Sequence, residues 1–391
     1  MVYRNMYKEL EKSLYSKQII VITGIRRVGK TTALKYLMSK LPRENSFYCD
    51  LERVENRAVF TEQNYSVIVE ALEAFGLDLS KKAYVGIDEI QLVQNIPSVI
   101  KFLYDTYNIK FIVTGSSSFY IKNYFTESLA GRKRVFEMVT LSFDEFLRFK
   151  GSEYRLSEAG FRKVNRTIYN SLSSMYQEYL SFGGFPEVVL ANTSEDKRHF
   201  LLDVINSYLN IDIKFLADFN KSDELFRIMK LLTSRAGSKI DFTKLSNITG
   251  ISRKVIKDYL MFFEQTYLVR TIPAYVKNRD REIALQKKLY FTDNGLLRVL
   301  GDPSTGVLLE NSIANQLSRH GNLQYYARRT GQEIDFILNE KIAFEVKETP
   351  GIHDLQTLVK RATQLSLNEY YLVGLNLGNK DFTEFTWAGN I

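Results

Sequence analysis

Of 391 residues, one is cysteine, one is tryptophan, three are histidine and six are proline. The lone Cys49 excludes a disulfide framework within the chain and suits a reducing compartment. Set in FYCDL, it reads as a small buried strand residue. His199, His320 and His353 fall in no motif, and no serine sits in a nucleophile elbow, so a Ser–His–Asp reading has no support. Scarce proline, together with 45% hydrophobic and 13% aromatic residues, excludes a disordered chain. No apolar run approaches the roughly 18 residues of a membrane span. Ile19–Ile22, after a charged amino terminus, is too short for a signal-peptide core. The expectation is a cytoplasmic protein without membrane contact, built from about two to three domains. A net charge of +8 is compatible with a polyanionic partner without demanding one.

QIIVITGIRRVGKTTALKYLMSK contains Gly24-x-x-x-x-Gly29-Lys30-Thr31 between an apolar strand and an amphipathic helix, the context in which such a loop cradles phosphates. Gly24 and Gly29 let the backbone wrap closely, so that the amides of Gly24, Ile25, Arg26, Arg27, Val28, Gly29, Lys30, Thr31 and Thr32 line an ATP site. The helix starting at Lys30 adds its positive end. Lys30 reaches the β- and γ-phosphates, and the Thr31 hydroxyl ligates Mg²⁺. A strand at Ser46–Asp50 precedes AYVGIDEI, Ala83–Ile90, whose Asp88 belongs to the Mg²⁺ shell and whose Glu89 accepts a proton from the attacking water. A further strand, Lys110–Ser117, ends in polar residues. Ser116 or Ser117 there either senses the γ-phosphate or caps the next helix. Arg132, Lys133 and Arg134 precede a fifth strand, Val135–Leu141. Arg132 is the candidate for γ-phosphate charge, in cis or across subunits of a homo-oligomer, against the alternative of a solvated basic turn. Five strands with intervening helices make a doubly wound parallel sheet.

GIRRVGKTT, GIDEIQ, TGSSS and SLAGR, followed by YLSFGGFPEVVL at Tyr179–Leu190, resemble an archaeal and bacterial AAA+-like ATPase family related to the signal-transduction ATPases. The resemblance covers nearly the whole chain and implies a carboxy-terminal domain like restriction endonucleases. SFGGFPE has no physical reading at this point beyond a Gly-Gly-x-Pro turn.

The remaining chain is read as a helical lid or linker (146–222), a winged helix (223–300) and a small α/β domain (301–391), after an ATPase domain over 1–145. In the winged helix, Glu224–Ala236, a helix within Asp241–Thr249 and a third helix capped by Ser252 precede two wing strands. Ser252, Arg253, Lys254 and Lys257, with Lys277, Arg279 and Arg281 in the wing loop, are the candidate nucleic-acid contacts, DNA favoured. The alternative is a lid or a protein-binding surface. In the tail, a helix over Gly306–Gly321 carries Glu310 in its first turn. A meander follows: Leu323–Arg329, Glu333–Leu338 and Lys341–Lys347. After it come a helix near Asp354–Gln364 and a strand, EYYLVGL. Residues two apart on a strand share a face, so Glu345 and Lys347 converge and Asp335 joins them. Two carboxylates and a lysine around Mg²⁺ suit phosphodiester hydrolysis, with Glu310 completing the shell. The order resembles the PD-(D/E)xK nucleases, with Ile334 where that pattern has proline. The expected function is an Mg²⁺-dependent ATPase whose nucleotide state governs nucleic-acid binding. The alternative is a signalling or scaffold ATPase whose tail binds protein partners and cuts nothing.

Overall fold

The computed structural model describes residues 1–116, 129, 131–154, 156, 161–212, 222–276, 285–328, 331–378 and 382–391. The chain divides into two units: Met1–Val139 with residues 207–212 and Gln265–Tyr267, and Thr140–Asn206 with residues 222–264 and Leu268–Ile391. Among the described residues no helix is long and apolar enough to cross a membrane.

In the first unit, β1 (Ile19–Thr23), β2 (Ser46–Asp50), β3 (Ala83–Asp88), β4 (Ile109–Gly115) and β5 (Lys133–Glu137) form one sheet in the order β2-β3-β4-β1-β5. Every pairing is parallel. The fifth strand is shorter than Val135–Leu141 and starts two residues earlier, at Lys133. Helices α1 (Tyr7–Leu14), α2 (Lys30–Met38), α3 (Val54–Thr61), α4 (Tyr65–Ala74) and α5 (Ile96–Thr106) accompany the sheet. All residues of β1 and β4 are buried, as continuous apolar strands covered on both faces should be. Burying each branched aliphatic side chain contributes about 1.5–3 kcal/mol. Cys49 lies in this core, and burial pushes its thiol up to about 12, which makes it inert. Lys110 is the polar exception in β4. Its ammonium donates to the carbonyls of Ser13, Ser16 and Gln18 at 2.8, 2.7 and 2.5 Å, satisfying the end of α1.

In the second unit, α6 (Phe143–Phe149) starts in a Ser142/Glu145 capping box. It is followed by α7 (Arg166–Phe182), α8 (Pro186–Leu190) and α9 (Ser194–Ser207). SFGGFPE acquires a physical role here. Gly183 has φ +76°, and a Cβ on it would lie 2.0 Å from Asp293 Oδ1. The Gly184 amide donates to Asp293 Oδ2 at 2.8 Å, and its carbonyl accepts from Leu141 N–H at 2.7 Å. The two glycines therefore admit a buried carboxylate that also caps α13 (Asn294–Leu300), accepting from Gly295 N–H at 2.8 Å.

Three helices follow α9: α10 (Ser222–Thr233), α11 (Phe242–Thr249) and α12 (Arg253–Gln265). Asp241 caps α11, Gly250 ends it at φ +73°, and Ser252 Oγ accepts from Val255 N–H at 3.3 Å to open α12. β6 (Val269–Ile272) and β7 (Lys288–Phe291) then pair antiparallel. The tail holds α14 (Thr305–Leu317), β8 (Leu323–Ala327), β9 (Glu333–Leu338), β10 (Ile342–Lys347), α15 (Ile352–Gln364), β11 (Glu369–Gly374) and β12 (Thr386–Trp387). The sheet order is β12-β11-β10-β9-β8. β8, β9 and β10 make an antiparallel meander, and α15 crosses over to a parallel β11. β12 pairs parallel with β11. The chain beyond β6 joins this sheet, with Tyr275 N–H donating to Tyr325 O at 2.6 Å and Tyr325 N–H to Pro273 O at 3.0 Å.

Candidate functional site

In the first unit the phosphate loop runs from the carboxyl end of β1 to α2. Gly24 has φ +146°, and a Cβ there would fall 2.1 Å from the Met138 carbonyl oxygen. Arg27 and Gly29 also take positive φ, 64° and 97°, the alternation that turns successive amides inward to form an anion nest. Lys30 is buried and donates to Gly24 O at 3.0 Å and Ile25 O at 3.2 Å, so its ammonium sits inside the loop. Ile25 and Val28 are buried and anchor the loop, while Thr32 lies in the first turn of α2. Arg26 approaches Glu52 at 3.8 Å. Arg4, which sequence reasoning passed over, is buried and holds the loop from behind, donating to Val28 O at 3.1 Å and Val139 O at 2.8 Å.

The Thr31 hydroxyl lies close enough to the Asp88 carboxylate to favour its ionised form. Asp88 also accepts from the Thr114 hydroxyl and, at 3.3 Å, from Tyr48. Burial raises the Asp88 carboxyl, and the hydroxyls of Thr114 and Thr31 offset only part of that rise. Glu89 follows in the left-handed region, φ 55°, its amide donating to Thr114 Oγ1 at 3.1 Å. Gln91 links the Glu89 carboxylate to Ser116 Oγ, the latter at 2.9 Å. Lys30, Thr31, Asp88, Glu89 and Ser116 thus occupy the carboxyl edge of the sheet, because β4 is inserted between β1 and β3. Gln91, Glu52 and Tyr48 are additions that only strand register reveals. Ser117 lies outside the described residues. The residues present fit a magnesium-bound nucleotide: an ammonium, inward amides, and a hydroxyl–carboxylate pair of the hard oxygen type that Mg²⁺ prefers.

Arg132 is not part of this group. Its carbonyl accepts from Ile19 N–H at 2.8 Å, which fixes it at the amino edge of the sheet. The five residues of β1, about 3.3 Å each, separate it from the loop. Its guanidinium forks onto Asp105 at 2.8 and 3.1 Å on the surface. The expectation that it serves the γ-phosphate within its own subunit is therefore corrected.

In the second unit the structure gathers all four tail residues. Glu310 is on α14, in its second turn rather than its first, because the helix starts at Thr305 behind a Ser304 cap. Asp335 on β9 accepts from Val346 N–H at 2.8 Å. Lys347 and Glu345, two apart on β10, pair at 2.8 Å. Glu345 is 7% exposed, and its Oε2 finds no hydrogen-bond partner among the described residues. Burial, reinforced by the charge of Asp335, pushes Glu345 up to about 7. Four further groups join that were not foreseen. Tyr290 OH donates to Glu310 at 2.7 Å. Lys288 pairs with Glu310 at 3.4 Å and Glu333 at 2.6 Å. Arg361 on α15 stands 3.7 Å from Glu345. The charge of Asp335 acts on Lys288, Tyr290, Glu310, Glu345 and Lys347 alike, which makes this one cluster. Among the described residues no three His, Cys, Asp or Glu side chains stand already arranged as a metal cage. The donor set, carboxylates with one unsatisfied buried oxygen, nevertheless fits a hard divalent cation.

The same unit has a groove of about 1030 Å³ beside α12, lined by Arg253, Lys254, Lys257 and Lys287. Its acids are engaged elsewhere: Asp241 caps α11, and Glu264 accepts from Thr271 N–H at 3.1 Å. Lys277, Arg279 and Arg281 lie outside the described residues.

Residues 16–147 match the model of an AAA domain, and residues 173–306 and 305–389 match two domains of unknown function. An uncharacterized protein of Methanocaldococcus jannaschii is 25% identical over 97% of this chain and 86% of its own length. One from Haemophilus influenzae is 27% identical over 87% of this chain and 86% of its own. The Walker-type ATPase PABY2304 of Pyrococcus abyssi superposes with a TM-score of 0.43 at 13% identity, over 77% of this chain and 96% of that one. The amino-terminal unit is thus a P-loop domain of the AAA type, on an α/β fold with a parallel five-stranded sheet.

Proposed function

We propose that this protein binds and hydrolyses ATP with Mg²⁺ in the cytoplasm and couples its nucleotide state to nucleic-acid binding, DNA favoured. The observation that carries the first part is the meeting of Thr31 and Asp88 beside the Lys30 ammonium, with Glu89 one residue further on. Mg²⁺, when bound, neutralises phosphate charge and fixes the phosphate geometry. The chain's own residues do the rest. The loop amides and Lys30 hold phosphate oxygens. Glu89 is positioned through Thr114 and Gln91 to accept a proton from water, and Ser116 is tied to the same network.

The second part rests on the basic groove along α12, which suits a phosphate backbone. α10 to α12 with the β6–β7 pair are read as a winged helix, and the tail as a nuclease-like domain that grips or cuts nucleic acid at Asp335, Glu345 and Lys347. The scaffold reading draws support from one feature: the carboxylates of that cluster already have cationic partners within the chain.

Glu89→Gln should bind ATP as the wild type does yet turn it over at least about a hundredfold more slowly, the scale of a lost general base. Lys30→Ala should not bind at all. Normal turnover in Glu89→Gln removes Glu89 from its role. Equal DNA affinity with and without ATP at fixed salt removes the coupling. Background cutting by both wild type and Asp335→Ala with Mn²⁺ favours the scaffold.

A further inference from the structure

β7 brings a buried lysine into the acidic cluster of the tail. Lys288 is 4% exposed, and its ammonium lies between Glu310 at 3.4 Å and Glu333 at 2.6 Å. Tyr290, two residues along the same face of β7, donates to the same oxygen of Glu310 at 2.7 Å. β7 is held there from both sides: it pairs with β6, and the chain beyond β6 is bonded to Tyr325 of β8. Across the cluster Lys347 and Arg361 face Glu345, while Glu345 Oε2 remains shut away with no donor among the described residues.

Charge decides what this arrangement does. Glu310, Glu333, Asp335 and Glu345 face Lys288, Lys347 and Arg361, with Asp354 also acting on Lys347, so the three cations offset most of the carboxylate charge. A hard divalent ion is held by carboxylate charge and by freedom of the carboxylates to turn toward it. Here the first is nearly cancelled, and Glu310 is committed to β7.

We propose that Lys288 is an internal counter-cation that takes the divalent ion's place at Glu310 and holds the cluster in a closed, metal-free state, so that occupation by a metal requires the β6–β7 hairpin to release Glu310. This rests on reading the cluster as a divalent-cation site. Lys288 then acts as a positioning residue through Glu310, and whatever displaces the hairpin gates the tail. β7 immediately follows Lys287, a lining residue of the basic groove.

The test uses the full-length, nucleotide-free protein and Mn²⁺ as the probe. Free Mn²⁺ is read by electron paramagnetic resonance, and the thermal midpoint is followed in parallel. Asp335→Asn defines the part of the binding that belongs to the tail. Lys288→Met should bind Mn²⁺ at that site at least about tenfold more tightly than wild type, since ligand charge count sets such affinities. Its midpoint should fall without metal and recover with it. Lys288→Gln, whose amide still donates to the carboxylates, serves if the methionine variant does not fold, and should also tighten binding. If Asp335-dependent binding is present but unchanged or weaker in both variants, or if the midpoint falls equally with and without Mn²⁺, Lys288 is a structural salt bridge and the proposal is overturned. If no variant shows Asp335-dependent binding, the metal-site reading falls as well.

Discussion

Asp293 offers the most direct measurement of what the second unit's interior costs. The carboxylate is fully enclosed, and burial raises it from 3.8 to about 6, against the pull of the amides of Gly184, Gly295 and Leu296 and the hydroxyl of Thr140. A folded-state value above the unfolded one means that the native protein binds the extra proton. The stabilisation is therefore complete below the unfolded value, near 3.8, and is lost as pH rises through about 6. A tenfold difference in proton affinity corresponds to about 1.4 kcal/mol, so between pH 4 and pH 7 this one group should remove about 2–3 kcal/mol of stability. An Asp293→Asn variant carries no titrating group at this position. Its amide must turn an N–H toward one of the backbone donors, a fixed cost of about 1–3 kcal/mol that displaces the whole curve and leaves its slope alone. The assay is urea unfolding at several pH values, followed by the fluorescence of Trp387, which is buried in the same unit. Wild-type stability minus variant stability should fall by about 2–3 kcal/mol from pH 4 to pH 7. Parallel curves would refute the argument, because they would mean that Asp293 is ionised in the folded state as readily as in the unfolded one.

Two further outcomes follow from geometry. Arg132→Ala should leave ATP turnover within about twofold, since its guanidinium serves Asp105 at the amino edge; a loss of about a thousandfold, the scale of an arginine finger, would place it in a neighbouring subunit's site. Lys254→Gln with Lys257→Gln should weaken binding to any DNA sequence and reduce the salt slope of log K by about 1–2, as each lost phosphate contact contributes about 0.9; an unchanged slope would take the groove out of the interface.

The phosphate loop was legible because its chemistry is local. Backbone spacing alone fixes where Gly24, Gly29, Lys30 and Thr31 must stand. The positions of Asp88 and Glu89, at and just past the carboxyl end of β3, were legible because an apolar strand running into two acids is a local pattern. What failed at Arg132 was direction, not chemistry. In a parallel sheet, residues before a strand lie at the amino edge and residues after it at the carboxyl edge, so a basic turn preceding β5 had to face away from the loop that follows β1. Arg4, Glu52 and Gln91 were illegible for a different reason: their contacts depend on how distant segments are laid side by side, which no local pattern encodes.

The tail illustrates both cases at once. Period-two alternation placed Glu345 beside Lys347, and the meander brought Asp335 to them. The same alternation on β7 puts Lys288 and Tyr290 on one face and the buried Leu289 and Phe291 on the other. The sequence therefore shows that Lys288 has a distinct face to address, but not which element lies opposite. A wing lysine is ordinarily expected to face solvent or phosphate. The bonds between the chain beyond β6 and Tyr325 of β8, with Tyr325 OH donating to Gln286 O, carry the hairpin onto the meander. A buried lysine needs carboxylates around it to remain charged, and Glu310, Glu333 and Asp335 are the ones that keep it so.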